Sequence, residues 1–183
     1  MKTIGKILFG KDNDSYMHPN KSNQEICCSY CGNRTKMILN EQFELNEKGL
    51  DVSYTYDGYP IVSLRFKKWL DMRFGQDLKF SQIKNDSNYF WLEIKPVIKF
   101  DSERRNTKMI EQCNHCRNYK EVVGATPGFV LEPEKLLNGG IFRSDIKFGS
   151  VRNQFCLMIL DLNTASDISL EKFIGLSFAK IIE

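Results

Sequence analysis

Two cysteine pairs, Cys28-Ser29-Tyr30-Cys31 and Cys113-Asn114-His115-Cys116, constrain this chain more than any other feature. Two residues between the cysteines let both sulfurs of a tight turn face one ion, and two such turns complete a tetrahedral four-thiolate shell. Six cysteines among 183 residues would supply only about 0.2 such pairs by chance. The spacing therefore predicts one structural Zn²⁺ held by Cys28, Cys31, Cys113 and Cys116. Lengthening the loop between the turns from about 18 to about 80 residues costs about 1.3 kcal/mol of closure entropy. Structural zinc contributes about 10–16 kcal/mol in small finger peptides, so the long gap is affordable and implies a folded segment between the turns.

Other residues could compete for the ion. Cys27 adjoins Cys28, but pairing it with Cys31 would give three intervening residues, unlike the second pair. His115 lies inside the second turn and is a further possible ligand. A redox pair is disfavoured because neither motif sits between a strand and a helix of a βαβ unit. Cys156, within an apolar run, reads as a small core residue. Gly32 suits a turn whose amides approach the sulfurs. Arg117 holds the matching place in the second turn, either offsetting the thiolates' charge or simply solvated. A four-thiolate site has no open position for water or substrate, which makes it structural, not catalytic.

The length suits one domain, residues 1–183, with a core of its own. No apolar run approaches the ~18 residues of a membrane span. The first ten residues, interrupted by Lys2 and Lys6, do not read as a signal peptide. The expected compartment is the cytoplasm, where thiols stay reduced and available to metal. A net charge of +3, from 26 basic and 23 acidic residues, points to neither nucleic acid nor an anionic membrane.

Along the chain, residues 2–9 read as a strand and 11–25 as a polar loop into the first turn. Residues 34–39 are expected to leave that turn as a strand. Ser63 caps a helix to Phe74, with Phe66, Trp69 and Leu70 at helical spacing and Gly75 as its stop. Strands are expected at 78–83, within 89–100 around Pro96, at 119–123, 155–160 and 176–182, and a charged loop at 101–108. Short helices are expected at 132–137, started by Pro133, and at 167–174, closed by Gly175. The pattern predicts an α+β fold: a single domain with a mixed, mostly antiparallel sheet, few helices and a four-cysteine zinc site.

No nucleophile elbow, H-E-x-x-H helix or phosphate-cradling glycine loop is present, and the two histidines, His18 and His115, pair with no nucleophile. The sequence thus predicts no enzyme. Arg65, Lys67, Lys68 and Arg73 on the first long helix, with Arg104, Arg105 and Lys108, and Tyr89, Phe90 and Trp91 as stacking groups, keep open a zinc-stabilised nucleic-acid-binding or regulatory module. Interspersed acids make nucleic acid the less favoured partner.

The order Cys28-x-x-Cys31-Gly32, Ile61-Val62-Ser63, Leu78-x-Phe80-x-x-Ile83, Tyr89-Phe90, Phe100-Asp101 and Cys113-x-x-Cys116, then Gly140-Ile141-Phe142-Arg143-Ser144-Asp145 and Gly175-Leu176-x-Phe178-x-x-Ile181, resembles the bacterial double-CXXCG-motif proteins. More loosely, it is similar to immunity proteins of polymorphic toxin systems. The second pair departs from the motif, reading Cys116-Arg117 where the family has Cys-Gly. The resemblance implies a non-enzymatic cytoplasmic protein that neutralises a cognate toxin by binding it. Gly140–Asp145 and the outer face of residues 63–74 are its candidate contact surfaces.

Overall fold

The structure, a computed structural model, describes residues 1–19 and 25–183; residues 20–24 of the expected polar loop lie outside the described residues. In chain order the elements are β1 (Thr3–Asp12), β2 (Val52–Tyr54), β3 (Pro60–Ser63), α1 (Leu64–Phe74), β4 (Leu78–Ile83), β5 (Asp86–Ile94), β6 (Val97–Ile98) and α2 (Ser102–Arg105). They continue with β7 (Lys108–Gln112), β8 (Tyr119–Val123), α3 (Pro133–Leu137), β9 (Ile141–Ser150), β10 (Phe155–Asp161), α4 (Leu162–Leu170) and β11 (Leu176–Ile182). The strands run β4-β5-β3-β2-β1-β10-β9-β8-β7, with β11 paired to β1 and β6 to β9. Among the strand pairs of the described residues β1–β2 and β6–β9 are parallel and the rest antiparallel, so the sheet is mixed and mostly antiparallel, as expected from the sequence. No helix among the described residues is long and apolar enough to cross a membrane.

Strand β1 joins the two halves of the sheet. Residues Thr3 to Gly10 pair with β11, while Lys11 and Asp12 pair with β2 along the same edge. The changeover sits at Gly175, whose carbonyl accepts from the Lys11 N–H. Gly175 has φ of 87°, and a Cβ there would lie 2.7 Å from the Val52 carbonyl oxygen. Glycine is required at that crossing on both counts.

Both faces of the sheet are covered, and the strands record this by alternation. On β10, Met158 and Leu160 join Phe66, Trp69, Leu70 and Phe173 under α1 and α4, whereas Leu157 and Ile159 join Phe100, Leu136 and Phe148 on the opposite face. On β5, Phe90 and Leu92 face the first cluster. Tyr89 and Trp91 face a third, closed over by Met17, Phe43 and Leu45. The three aromatic residues considered for base stacking are therefore core residues.

Helix α1 begins as read: the Ser63 hydroxyl accepts from the Phe66 N–H at 3.1 Å. It ends at Phe74 with Gly75 as its C-cap, also as read, although Gly75 keeps right-handed helical geometry and opens a turn of 3-10 helix before β4. Three readings need correction and one strand was not read. Residues 34–39 form no strand; after the Cys27–Arg34 bridge the segment is irregular. Within the expected loop 101–108, Asp101 caps the short helix α2. Residues 141–150, not read as regular structure, form a ten-residue strand whose Ser, Asp and Gly content masks its period. The last helix spans Leu162–Leu170, not 167–174, because Asp161 caps it directly at the end of β10.

Asp161 is 4% exposed. It accepts from the Asn163 and Thr164 N–H groups, the Thr164 hydroxyl and the Gly140 N–H. Burial works to raise its carboxyl pKa, but the bonds from Thr164, Gly140 and Asn163 outweigh it and hold the group below the usual carboxylate range. The stability it contributes is therefore present above the unfolded value of about 3.9 and is lost as pH falls through the lower folded value. Asp161→Ala should cost about 2 kcal/mol at neutral pH, the upper range for a cap. Urea unfolding at neutral pH and near pH 3 checks this: the gap between wild type and variant should narrow in acid.

Candidate metal centre

The two cysteine turns are near copies of each other in backbone. In the first, the Gly32 N–H donates to the Cys28 carbonyl at 2.9 Å and the Cys28 N–H to the Asn33 carbonyl at 2.8 Å. In the second, the Arg117 N–H donates to the Cys113 carbonyl and the Cys113 N–H to the Asn118 carbonyl, both at 2.9 Å. Gly32 and Arg117 are both left-handed, with φ of 73° and 62°. The Cys116-Arg117 departure from the motif therefore leaves the turn intact, at a backbone cost of about 1 kcal/mol. Arg117 is exposed. Arg117→Gly should accordingly raise stability by up to about 0.5 kcal/mol after the entropy glycine regains on unfolding; thermal melts of the two proteins compare them.

The turns meet through their sulfurs. The four Sγ atoms of Cys28, Cys31, Cys113 and Cys116 all lie within 4.8 Å of one another. Cys28 and Cys113 are 4.0 Å apart, Cys31 and Cys116 3.5 Å. A tetrahedral ion with metal–sulfur bonds of about 2.3 Å holds its sulfurs about 3.8 Å apart. The donor set and its span thus fit one metal ion. Cys27 is outside the cluster, bridged to Arg34, and burial raises its thiol pKa. His115 is not part of the cluster and stacks on Tyr30, its counterpart in the other turn, with ring centroids 3.3 Å apart and planes within 5°.

The backbone prepares the first sulfur of each turn for ionisation. Amides of Cys31 and Tyr30 lower the Cys28 pKa, and those of Cys116 and His115 bring Cys113 to about 6. Burial instead pushes Cys31 up to about 12. Without a cation, four crowded sulfurs cannot all be ionised, so metal binding displaces protons from the cluster.

A polar network fastens this centre to the rest of the fold. Asn33 Nδ2 and Gln154 Nε2 both donate to the Tyr119 carbonyl, at 3.1 and 2.8 Å. The buried Arg34 guanidinium donates to the carbonyls of Asp57 and Gln154 and lies 4.7 Å over the Tyr59 ring. The Asp57 carboxylate in turn accepts from the Met17 and His18 N–H groups at 2.9 and 3.0 Å. Sequence reasoning passed over Asn33, Arg34 and Gln154. The available signal was the asparagine two residues after each second cysteine, Asn33 and Asn118.

Other residues singled out in the sequence do not gather into a site. Gly140–Asp145 leads into and begins β9, with Phe142 packed on the core and Asp145 accepting from the Phe100 N–H at 2.9 Å. Lys67 pairs with Asp71 at 3.2 Å and Arg65 with Asp51 at 3.4 Å. Compared with protein-family models, curated proteins and solved structures, the chain matches none of them.

Proposed function

We propose that the protein is a non-enzymatic binding protein, built around one structural Zn²⁺, that neutralises a cognate bacterial toxin in the cytoplasm. One observation carries the metal part: four cysteine sulfurs from two matched turns converge at tetrahedral spacing. An all-thiolate tetrahedral set favours zinc or iron, and the absence of redox partners in the motif pattern favours zinc. Such a shell offers substrate no coordination position. The toxin reading is supported by the resemblance to double-CXXCG-motif and immunity proteins. Action is by occlusion, through a complementary surface. With Gly140–Asp145 built into the sheet, the better contact candidate is the outer face of α1, where Arg65, Lys68 and Met72 are exposed. A nucleic-acid module is the weaker reading, since Tyr89, Phe90 and Trp91 are buried.

Elemental analysis of protein purified without chelator should find about one zinc per chain; iron, or no metal, refutes the metal assignment. For the partner, the protein should co-purify with a toxin encoded beside it and restore growth of cells expressing that toxin. Failure to rescue against every neighbouring toxin sinks this reading and leaves the metal assignment standing.

A further inference from the structure

A second candidate site is lined by none of the four clustered cysteines. A cavity of about 270 Å³ opens between β5 and the β9–β10 pair. Its apolar wall includes Trp91, Phe155 and Met158, and its polar wall Arg143, Lys147 and Cys156. Lys147 is the cross-strand neighbour of Cys156, and Arg143 of Met158. The Arg143 Nη1 atom lies 4.0 Å from Cys156 Sγ. Both cations therefore project from one face of β9 into one recess.

Neither cation has a carboxylate partner among the described residues. Glu93 also lines the cavity, but Lys79 occupies it at 2.6 Å. Asp145 is engaged by the Phe100 N–H. Arg34 adds a third positive charge nearby. Burial depresses the Lys147 ammonium pKa, and repulsion from Arg34 and Arg143 adds to this against the pull of Cys156 and of Cys116 in the sulfur cluster. Gathering half-buried like charges without a carboxylate counter-charge is unfavourable. An anion entering the recess relieves that repulsion, and the indole and phenyl surfaces opposite suit an apolar body.

We infer that this cavity binds a small organic anion, its carboxylate or phosphate group between Arg143 and Lys147 and its apolar part against Trp91, Phe155 and Met158. The site is independent of the toxin reading.

Cys156 reports on the site directly. Iodoacetate and iodoacetamide alkylate a thiol in the same way: an S–C bond forms, the C–I bond breaks, iodide leaves and the thiol proton goes to solvent. They differ in charge. The tryptic peptide Asn153–Lys172 contains Cys156 as its sole cysteine, so mass spectrometry follows this residue alone in the intact, metal-loaded protein. The iodoacetate-to-iodoacetamide rate ratio at Cys156 should exceed that of N-acetylcysteinamide by about ten-fold, a preference worth about 1.4 kcal/mol. In the Arg143→Met, Lys147→Met double variant it should fall to the reference value. Lys147→Met alone, should the double variant misfold, should show a smaller fall. Millimolar benzoate or phenyl phosphate should slow alkylation by iodoacetamide, and benzyl alcohol should not; which anion protects better distinguishes carboxylate from phosphate. A ratio equal to the reference, a raised ratio that survives the substitutions, no protection by either anion, equal protection by the alcohol, or no reaction with either reagent each overturns the assignment.

Discussion

Cys113→Ser should lower the thermal midpoint by about 10–20 °C and reduce bound metal to well below one equivalent. The cluster joins Ile26–Arg34 to the β7–β8 hairpin, and three sulfurs leave the ion without a closed shell. A loss on the order of 5 kcal/mol, below the 10–16 kcal/mol of finger peptides because a separate hydrophobic core remains, corresponds to that shift at about 2–4 °C per kcal/mol. The two tryptophans belong to the α1-covered and loop-covered clusters, so their fluorescence before the melt should change little. Proteolysis within 26–34 should become fast. A variant that keeps one equivalent of metal and its full midpoint would show that the ligand set is wrong.

Arg34→Met should cost about 3–5 kcal/mol while leaving metal content unchanged. The side chain is 3% exposed and supplies the hydrogen bonds to the Asp57 and Gln154 carbonyls. Methionine keeps most of the bulk but leaves two acceptors without their donor, at about 1–3 kcal/mol each. The packing over Tyr59 goes too. Arg34→Lys should recover only part of the loss, because a single ammonium cannot span two carbonyls as a planar fork does. Denaturant titration alongside metal analysis separates this outcome from that of Cys113→Ser. A loss under about 1 kcal/mol, or an accompanying loss of metal, would mean that Arg34 is not an independent brace.

The cysteine cluster was legible because the spacing that lets two sulfurs of one turn face a common ion is local and survives in one dimension. The convergence of the two turns needed only that spacing and the repeat. Strands β4, β8, β10 and β11 were legible for a related reason: their apolar residues follow the period that burial on one or both faces imposes. Other elements escaped for physical reasons. Strand β9 carries Arg143, Asp145 and Lys147, which look like a solvated segment, yet Lys147 lines a cavity and Asp145 accepts from the Phe100 N–H. The start of α4 was hidden because Asp161 serves as both the last residue of β10 and the cap of the helix. Arg34 looks in sequence like any charged residue after a turn. Its burial depends on Gln154, 120 positions away, and no local pattern carries that information.

The two cysteine turns match in backbone but not in support. Cys113 and Cys116 lie between β7 and β8, which are paired from Lys108–Val123 to Gln112–Tyr119. Cys28 and Cys31 are framed locally by the Cys27–Arg34 bridge and bonds to the Ile26 carbonyl, and otherwise by long-range bonds from Asn33 and Arg34 to Tyr119, Asp57 and Gln154. This difference sets an order in time. Hairpins close within microseconds, whereas a contact spanning some eighty residues waits on the larger search. The downstream turn should therefore capture the ion first as a two-sulfur site, and the N-terminal arm should arrive last. In reverse, a chelator or competing ion should find its entry on the Cys28–Cys31 side, so exchange of the ion should follow the opening rate of that arm and not the global unfolding rate.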